Sequence, residues 1–120
     1  DMRALRASSE PGAAEAINLF VYRVVREIGS LAAALGGLDG LVFTAGIGEN
    51  DPATRAEVVA DCRWLGAEID PARNAACECD IGAATSRVKV MMIPTNEELN
   101  IAKSTISLVS SKTRQTGEVP

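Results

Sequence analysis

The sequence predicts an α/β fold in which parallel strands are flanked by helices. Three observations carry this reading: two short apolar strands at residues 41–43 and 88–93, a capped helix after each, and a long amphipathic helix ahead of the first. Strands that alternate with helices in this way run parallel and lie side by side.

Residues 1–10 read as interior loop, and because the chain opens on Asp1 rather than Met, sequence upstream is expected. Pro11 and Gly12 introduce a helix in which Ile17, Phe20, Val21, Val24, Ile28, Leu31 and Leu35 recur at helical spacing. Arg23, Arg26 and Glu27 fall mainly on its other face, so it should cover one side of the sheet before Gly36 and Gly37 stop it. Leu41, Val42 and Phe43 then form a strand suited to a sheet buried on both faces, and Thr44 ends it. Gly46 and Gly48 lack the Cβ that would hold a ligand off the backbone, and they permit φ values closed to other residues. The stretch from Gly46 to Asn50 therefore reads as a turn that a flat base or a phosphate can approach.

Asp51 is a good N-cap and Pro52 suits a first helical position, so the next helix, residues 53–65, should aim its amino end at the turn and favour an anion. The same order also serves as a plain tight connection, which leaves a structural role open. It is neither a Walker A loop, since no Gly-Lys-Ser/Thr follows, nor a dinucleotide fingerprint, since the third glycine is missing. Gly66 stops the helix, residues 67–69 read as a short strand, and Asp70 with Pro71 caps a short helix. A small-residue loop at 78–86 leads to the strand at 88–93, halted by Pro94, and Thr95 or Asn96 caps a final helix through Ile101, Ile106 and Val109. Residues 1–109 are read as one unit and 110–120 as a disordered tail. Two strands make a meagre sheet, so helix faces are expected to seek partners from further sequence.

Composition narrows the function classes. The chain has 120 residues, of which 47% are hydrophobic and 23% charged, enough for a single core. A net charge of -4, no basic stretch and few aromatics argue against nucleic acid. No run approaches a membrane span and the amino terminus is not a signal peptide, so no membrane partner is expected and the location reads as cytoplasmic. Cys62, Cys77 and Cys79 form an odd set with no histidine anywhere, which argues for reduced thiols and against tetrahedral zinc, Ser-His-Asp and Cys-His chemistry. Carboxylates, arginine, backbone groups or a metal remain.

Ligands of parallel sheets bind at the carboxyl ends of the strands, which places Gly46–Asn50 and Thr95–Glu98 on one edge. Glu97 and Glu98 at a helix start gain from its dipole, a sufficient structural reason for them. The alternative is that one of them holds Mg²⁺, a hard cation that favours oxygen ligands and substrate phosphates.

Asp1-Met2-Arg3, Thr44 to Asn50 and Ile93 to Leu99, in that order, resemble the carboxy-terminal part of an acetate kinase, with typical forms Asp-Phe-Arg, Phe-Thr-Gly-Gly-Ile-Gly-Glu-Asn and Ile-Pro-Thr-Asn-Glu-Glu. Leu65-Gly66 and Asp70 to Asn74 are similar to the intervening stretch. The resemblance implies part of a ribonuclease-H-like domain of the actin, heat-shock chaperone and sugar kinase superfamily. It places ATP or ADP against Gly46, Ile47, Gly48, Glu49 and Asn50, with Asp1, Met2 and Arg3 forming another part of the adenosine site, and it makes Glu97 the Mg²⁺-associated carboxylate. It implies reversible phosphoryl transfer to a short-chain carboxylate such as acetate, giving acetyl phosphate and ADP, and a homodimer; acetate and propionate both fit. The family's catalytic residues would lie upstream of Asp1, so no catalytic residue is assigned and the isolated chain is expected to be inactive. Two departures stand out: Met2 replaces Phe, and Ala45 replaces the first Gly, at a cost in stability if that position needs φ > 0. The rival reading is a non-catalytic nucleotide-binding or interaction module.

Overall fold

The computed structural model describes residues 1–115, with side chains to 111. In order the elements are α1 (Met2–Ala7), α2 (Pro11–Leu35), β1 (Gly40–Phe43), α3 (Ala45–Asn50), α4 (Pro52–Asp61), a 3-10 turn (Arg63–Leu65), α5 (Pro71–Ala75), β2 (Lys89–Met92) and α6 (Glu97–Gln115). β1 and β2 pair in parallel, with Leu41 opposite Val90 and Phe43 opposite Met92, as expected from two successive strand-helix units.

One face of this sheet is covered. Leu41, Phe43, Val90 and Met92 point to the same side, where they meet Val58 and Val59 of α4, Cys62 just after it and Val21 of α2, with Ile17, Phe20, Val24 and Ile28 packed at the margin. The two-residue period of the strands sends Val42 to the other side, where it is 50% exposed. The expectation of a sheet buried on both faces is thus corrected, because no element of this chain covers the second face among the described residues. The apolar stripe of α2 is used unevenly: Val21 is buried, whereas Leu31 and Leu35 are exposed.

The helix signals were good guides to the boundaries of α2. Gly36, at φ 77, takes the left-handed conformation that frees a helix end, and Gly37 N–H closes it on the Ala32 carbonyl at 2.9 Å. Other boundaries moved. Residues 2–7 form α1 rather than loop, since the Asp1 carboxylate caps it by accepting from Arg3 N–H at 2.9 Å. The helix expected over 53–65 stops at Asp61, where Cys62 N–H divides between the carbonyls of Val58 and Val59 and tightens the chain into a 3-10 turn.

The insertion is a small antiparallel annex rather than a strand followed by loop. Residues 67–69 contribute a single bridge, Ile69 to Gly82, and Asp80 bridges Met91. Ile81 N–H donates to Val90 O at 3.0 Å and Met92 N–H to Cys79 O at 2.9 Å, so the annex seals the outer edge of β2. Helix α6 continues to Gln115, because residues 110–115 contain neither Gly nor Pro; the tail expected from 110 is therefore helical as far as 115, and 116–120 lie outside the described residues. Its Leu99, Ile101, Ile106, Leu108 and Val109 are exposed. The molecule is elongated, 71 × 37 × 29 Å, with a radius of gyration of 20.1 Å against about 14 Å for a compact chain of this size.

Candidate functional site

A cleft of about 490 Å³ opens beside the carboxyl end of β1, lined by Asp1, Met2, Arg3, Arg6, Gly46, Ile47, Asn50 and Asp51. The fold thereby joins two of the three segments that sequence reasoning singled out. Arg6 is the clip. From α1 its guanidinium donates to Asp51 Oδ2 at 2.9 Å, to Thr54 Oγ1 at 2.8 Å and to both oxygens of Glu57 at 2.8 and 3.1 Å. These bonds, those to Glu57 first, raise the Arg6 pKa against the opposing effect of burial. Burial pushes the Asp51 carboxyl up, but hydrogen bonds from Arg6 and Thr54 outweigh it and hold the group below the ordinary carboxylate range.

This arrangement corrects one expectation about anions. Asp51 does cap α4, its Oδ1 accepting from Thr54 N–H at 3.1 Å, but that carboxylate together with Arg6 already fills the amino end of the helix. The cleft lies alongside this cap.

The turn expected at Gly46–Asn50 is the short helix α3. Its sharp entry is made by Ala45, at φ 57, while neither Gly46 nor Gly48 has positive φ. The two glycines serve space instead. A Cβ on Gly48 would lie 3.3 Å from the carbonyl carbon of Phe43, so glycine lets α3 rest on the end of β1, whereas a Cβ on Gly46 would meet nothing within 4 Å. Asn50 Nδ2 donates to Gly46 O at 2.9 Å, closing the helix across the cleft wall.

Gly48 and Glu49 do not line the cleft. Glu49 Oε1 accepts from Ala45 N–H at 2.8 Å, from Thr95 N–H at 2.7 Å and from Thr95 Oγ1–H at 2.9 Å. The bonds from Thr95 are the chief reason that its carboxyl is held below its usual pKa. This side chain straps the segment after β1 to the segment after β2, and both therefore occupy one sheet edge, as expected. Asn96, whose Oδ1 accepts from Leu99 N–H at 3.0 Å, caps α6 and leaves exposed Glu97 in its first turn. Among the described residues no group of three or more His, Cys, Asp or Glu side chains could hold a metal ion. All three cysteines are free, and burial, with a smaller effect from Asp61, pushes the Cys62 thiol up.

Sequence reasoning missed Arg55. It is 0% exposed, in the middle of α4, and its five donors all find acceptors: Asn74 Oδ1 at 2.7 Å, Asn74 O at 2.9 Å, Gly48 O and Glu49 O each at 2.9 Å, and Cys77 Sγ at 3.3 Å. A signal was present, since Arg55 precedes Val58, Val59 and Cys62 by three, four and seven residues, on the buried stripe.

Two parallel strands with their connecting segments gathered at one edge, and a cleft there, define an α/β unit of the kind whose ligands bind at the carboxyl ends of the strands. The acetokinase family model matches residues 1–103. The chain belongs to the acetokinase family. It is 56% identical over 111 residues to an acetate kinase of Rhizobium meliloti, covering 92% of this chain and 28% of that one. Among solved structures it is similar to Porphyromonas gingivalis acetate kinase, with a TM-score of 0.78 and 35% identity over 91% of this chain and 29% of that one. It is also similar to a propionate kinase from Francisella tularensis subsp. tularensis, with a TM-score of 0.75 and 37% identity over 82% of this chain and 26% of that one. The chain thus spans 28% of the length of that curated relative. No helix among the described residues is long and apolar enough to cross a membrane.

Proposed function

We propose that this chain supplies the ATP side of a cytoplasmic acetate kinase, in which a carboxylate oxygen of acetate bonds to the γ-phosphorus of ATP while the bond to ADP breaks, giving acetyl phosphate. The observation that carries this reading is the single cleft in which Asp1, Met2 and Arg3 face Gly46, Ile47 and Asn50 at the carboxyl end of β1. Gly46 leaves part of its wall without a side chain, which lets a flat base or ribose approach, and Met2 and Ile47 supply apolar contact. Gly48 and Glu49 act behind the wall, one by letting α3 sit close and the other by fixing Thr95. Glu97 is the carboxylate offered to Mg²⁺. One carboxylate suits that ion, which keeps several waters and otherwise takes phosphate oxygens. When bound, Mg²⁺ neutralises charge on the transferring phosphoryl group.

The chain has no histidine, and no residue in it is assigned a covalent or acid-base role. Binding without turnover is the expected behaviour of the isolated chain, which spans 28% of the length of a curated relative, and phosphoryl transfer belongs to the longer enzyme that the family represents. Calorimetric titration with ATP, with and without Mg²⁺, tests the reading beside a Glu97→Ala variant. Saturable binding whose Mg²⁺ dependence disappears in the variant supports it; heat of dilution alone refutes it. A coupled assay detecting acetyl phosphate made by the purified chain would refute the expectation of binding without turnover.

A further inference from the structure

Arg55 is the only charged side chain that is buried among the described residues. It makes no ion pair there: all its partners are carbonyl or amide oxygens and one thiol. Burying a guanidinium without a counter-charge is unfavourable unless every donor is met, and a fork of five fixed donors is the one cationic group that can meet them here. Its acceptors come from two places. Gly48 O and Glu49 O belong to the last turn of α3, while Asn74 and Cys77 belong to α5 and the start of the annex. Asn74 is itself fixed, donating through Nδ2 to Pro52 O at 2.8 Å. The carbonyls at the end of a six-residue helix lack partners within that helix, so whatever binds them decides where the helix stops and how it is oriented.

We infer that Arg55 is a positioning residue for α3. Held on one side by Asn74 and Cys77, its guanidinium seizes the end of α3 and so sets where Gly46, Ile47 and Asn50 stand in the cleft. The consequence for nucleotide rests on the reading of that cleft given above; the placement of α3 does not. The annex then has a role beyond sealing β2, because through Cys77, beside Asn74 of α5, it anchors the cleft wall from behind.

Hydrogen exchange followed by mass spectrometry tests this on the purified chain and on the Arg55→Lys, Asn74→Ala and Val59→Ala variants, each also titrated with ATP. Lysine keeps the charge and loses the fork; Asn74→Ala removes one acceptor and the bond to Pro52 without touching the charge; Val59→Ala weakens the same helix through the core alone. Arg55→Lys and Asn74→Ala are expected to speed exchange over residues 46–51 about tenfold more than over β2, and to weaken ATP binding about tenfold. Val59→Ala is expected to speed exchange at both places alike and to leave ATP affinity within about twofold. Uniform acceleration in Arg55→Lys and Asn74→Ala, or none in either, overturns the inference. Selective loosening of 46–51 in a chain that does not bind ATP supports the inference and overturns the nucleotide reading.

Discussion

Replacing Ala45 by glycine isolates the strain at the entrance to the cleft. Ala45 holds φ 57, a conformation in which its Cβ crowds the following carbonyl, at a cost of roughly 1–2 kcal/mol for a residue other than glycine. Its methyl group is exposed, so little packing is lost on removing it, and its N–H bond to Glu49 Oε1 survives the change. Against the relief stands the greater freedom of glycine in the unfolded chain, roughly 0.4–1 kcal/mol. The balance favours Ala45→Gly by about 0.5–1 kcal/mol, which for a domain of this size corresponds to a rise in melting temperature of about 2–6 °C. Thermal unfolding followed by far-UV circular dichroism measures it, with an exposed alanine such as Ala34 changed to glycine as the control that should lower the melting temperature. A melting temperature unchanged or lowered in Ala45→Gly would refute the reasoning that the turn is strained.

Three other outcomes follow from the same geometry. Gly48→Ala should forfeit the roughly 1 kcal/mol that alanine ordinarily gains over glycine in a helix, and lower stability by up to about 1 kcal/mol in denaturant unfolding, since its new Cβ meets the backbone of Phe43 at 3.3 Å and α3 must shift from β1 by a few tenths of an ångström. Arg6→Met should cost about 1–2 kcal/mol, discounted for a partly exposed site, and should weaken ATP binding because α1 is no longer clipped to Asp51, Thr54 and Glu57. The Asp51 carboxyl has a lowered folded-state pKa, so its contribution is fully present above the ordinary carboxylate range and is lost as pH falls through the depressed folded value. Acid unfolding of Asp51→Asn should therefore show a shallower loss of stability in that window; a slope equal to that of the unchanged chain would contradict the pairing.

The sequence was most informative where local chemistry decides the structure. Gly36-Gly37, Asp51-Pro52 and Asp70-Pro71 mark element ends by their own backbone preferences, and the two apolar strands could pair in only one sense once a helix lay between them. It was least informative where distant groups decide. The two glycines of α3 argue against a helix, and that segment is helical because Glu49 reaches back to Ala45, Asn50 to Gly46, and Arg55 arrives from α4 to take its last carbonyls. The cleft residues were legible as motifs, yet their division of labour was not: Gly48 and Glu49 look equivalent to Gly46 and Asn50 in the chain and differ only in what lies behind them. An arginine within a polar helical stretch reads as solvated, and only its register with Val58, Val59 and Cys62 gave Arg55 away.

Gly46→Leu asks whether adenine nucleotide occupies the cleft between α1 and α3. A side chain there meets no protein atom within 4 Å of its Cβ and improves helix propensity, so it should fill the cleft without disturbing the fold. Calorimetry of both proteins with ATP is expected to show saturable binding to the unchanged chain and at least a tenfold loss in Gly46→Leu, at an equal or higher melting temperature. Equal affinity in the two proteins would place the nucleotide outside this cleft.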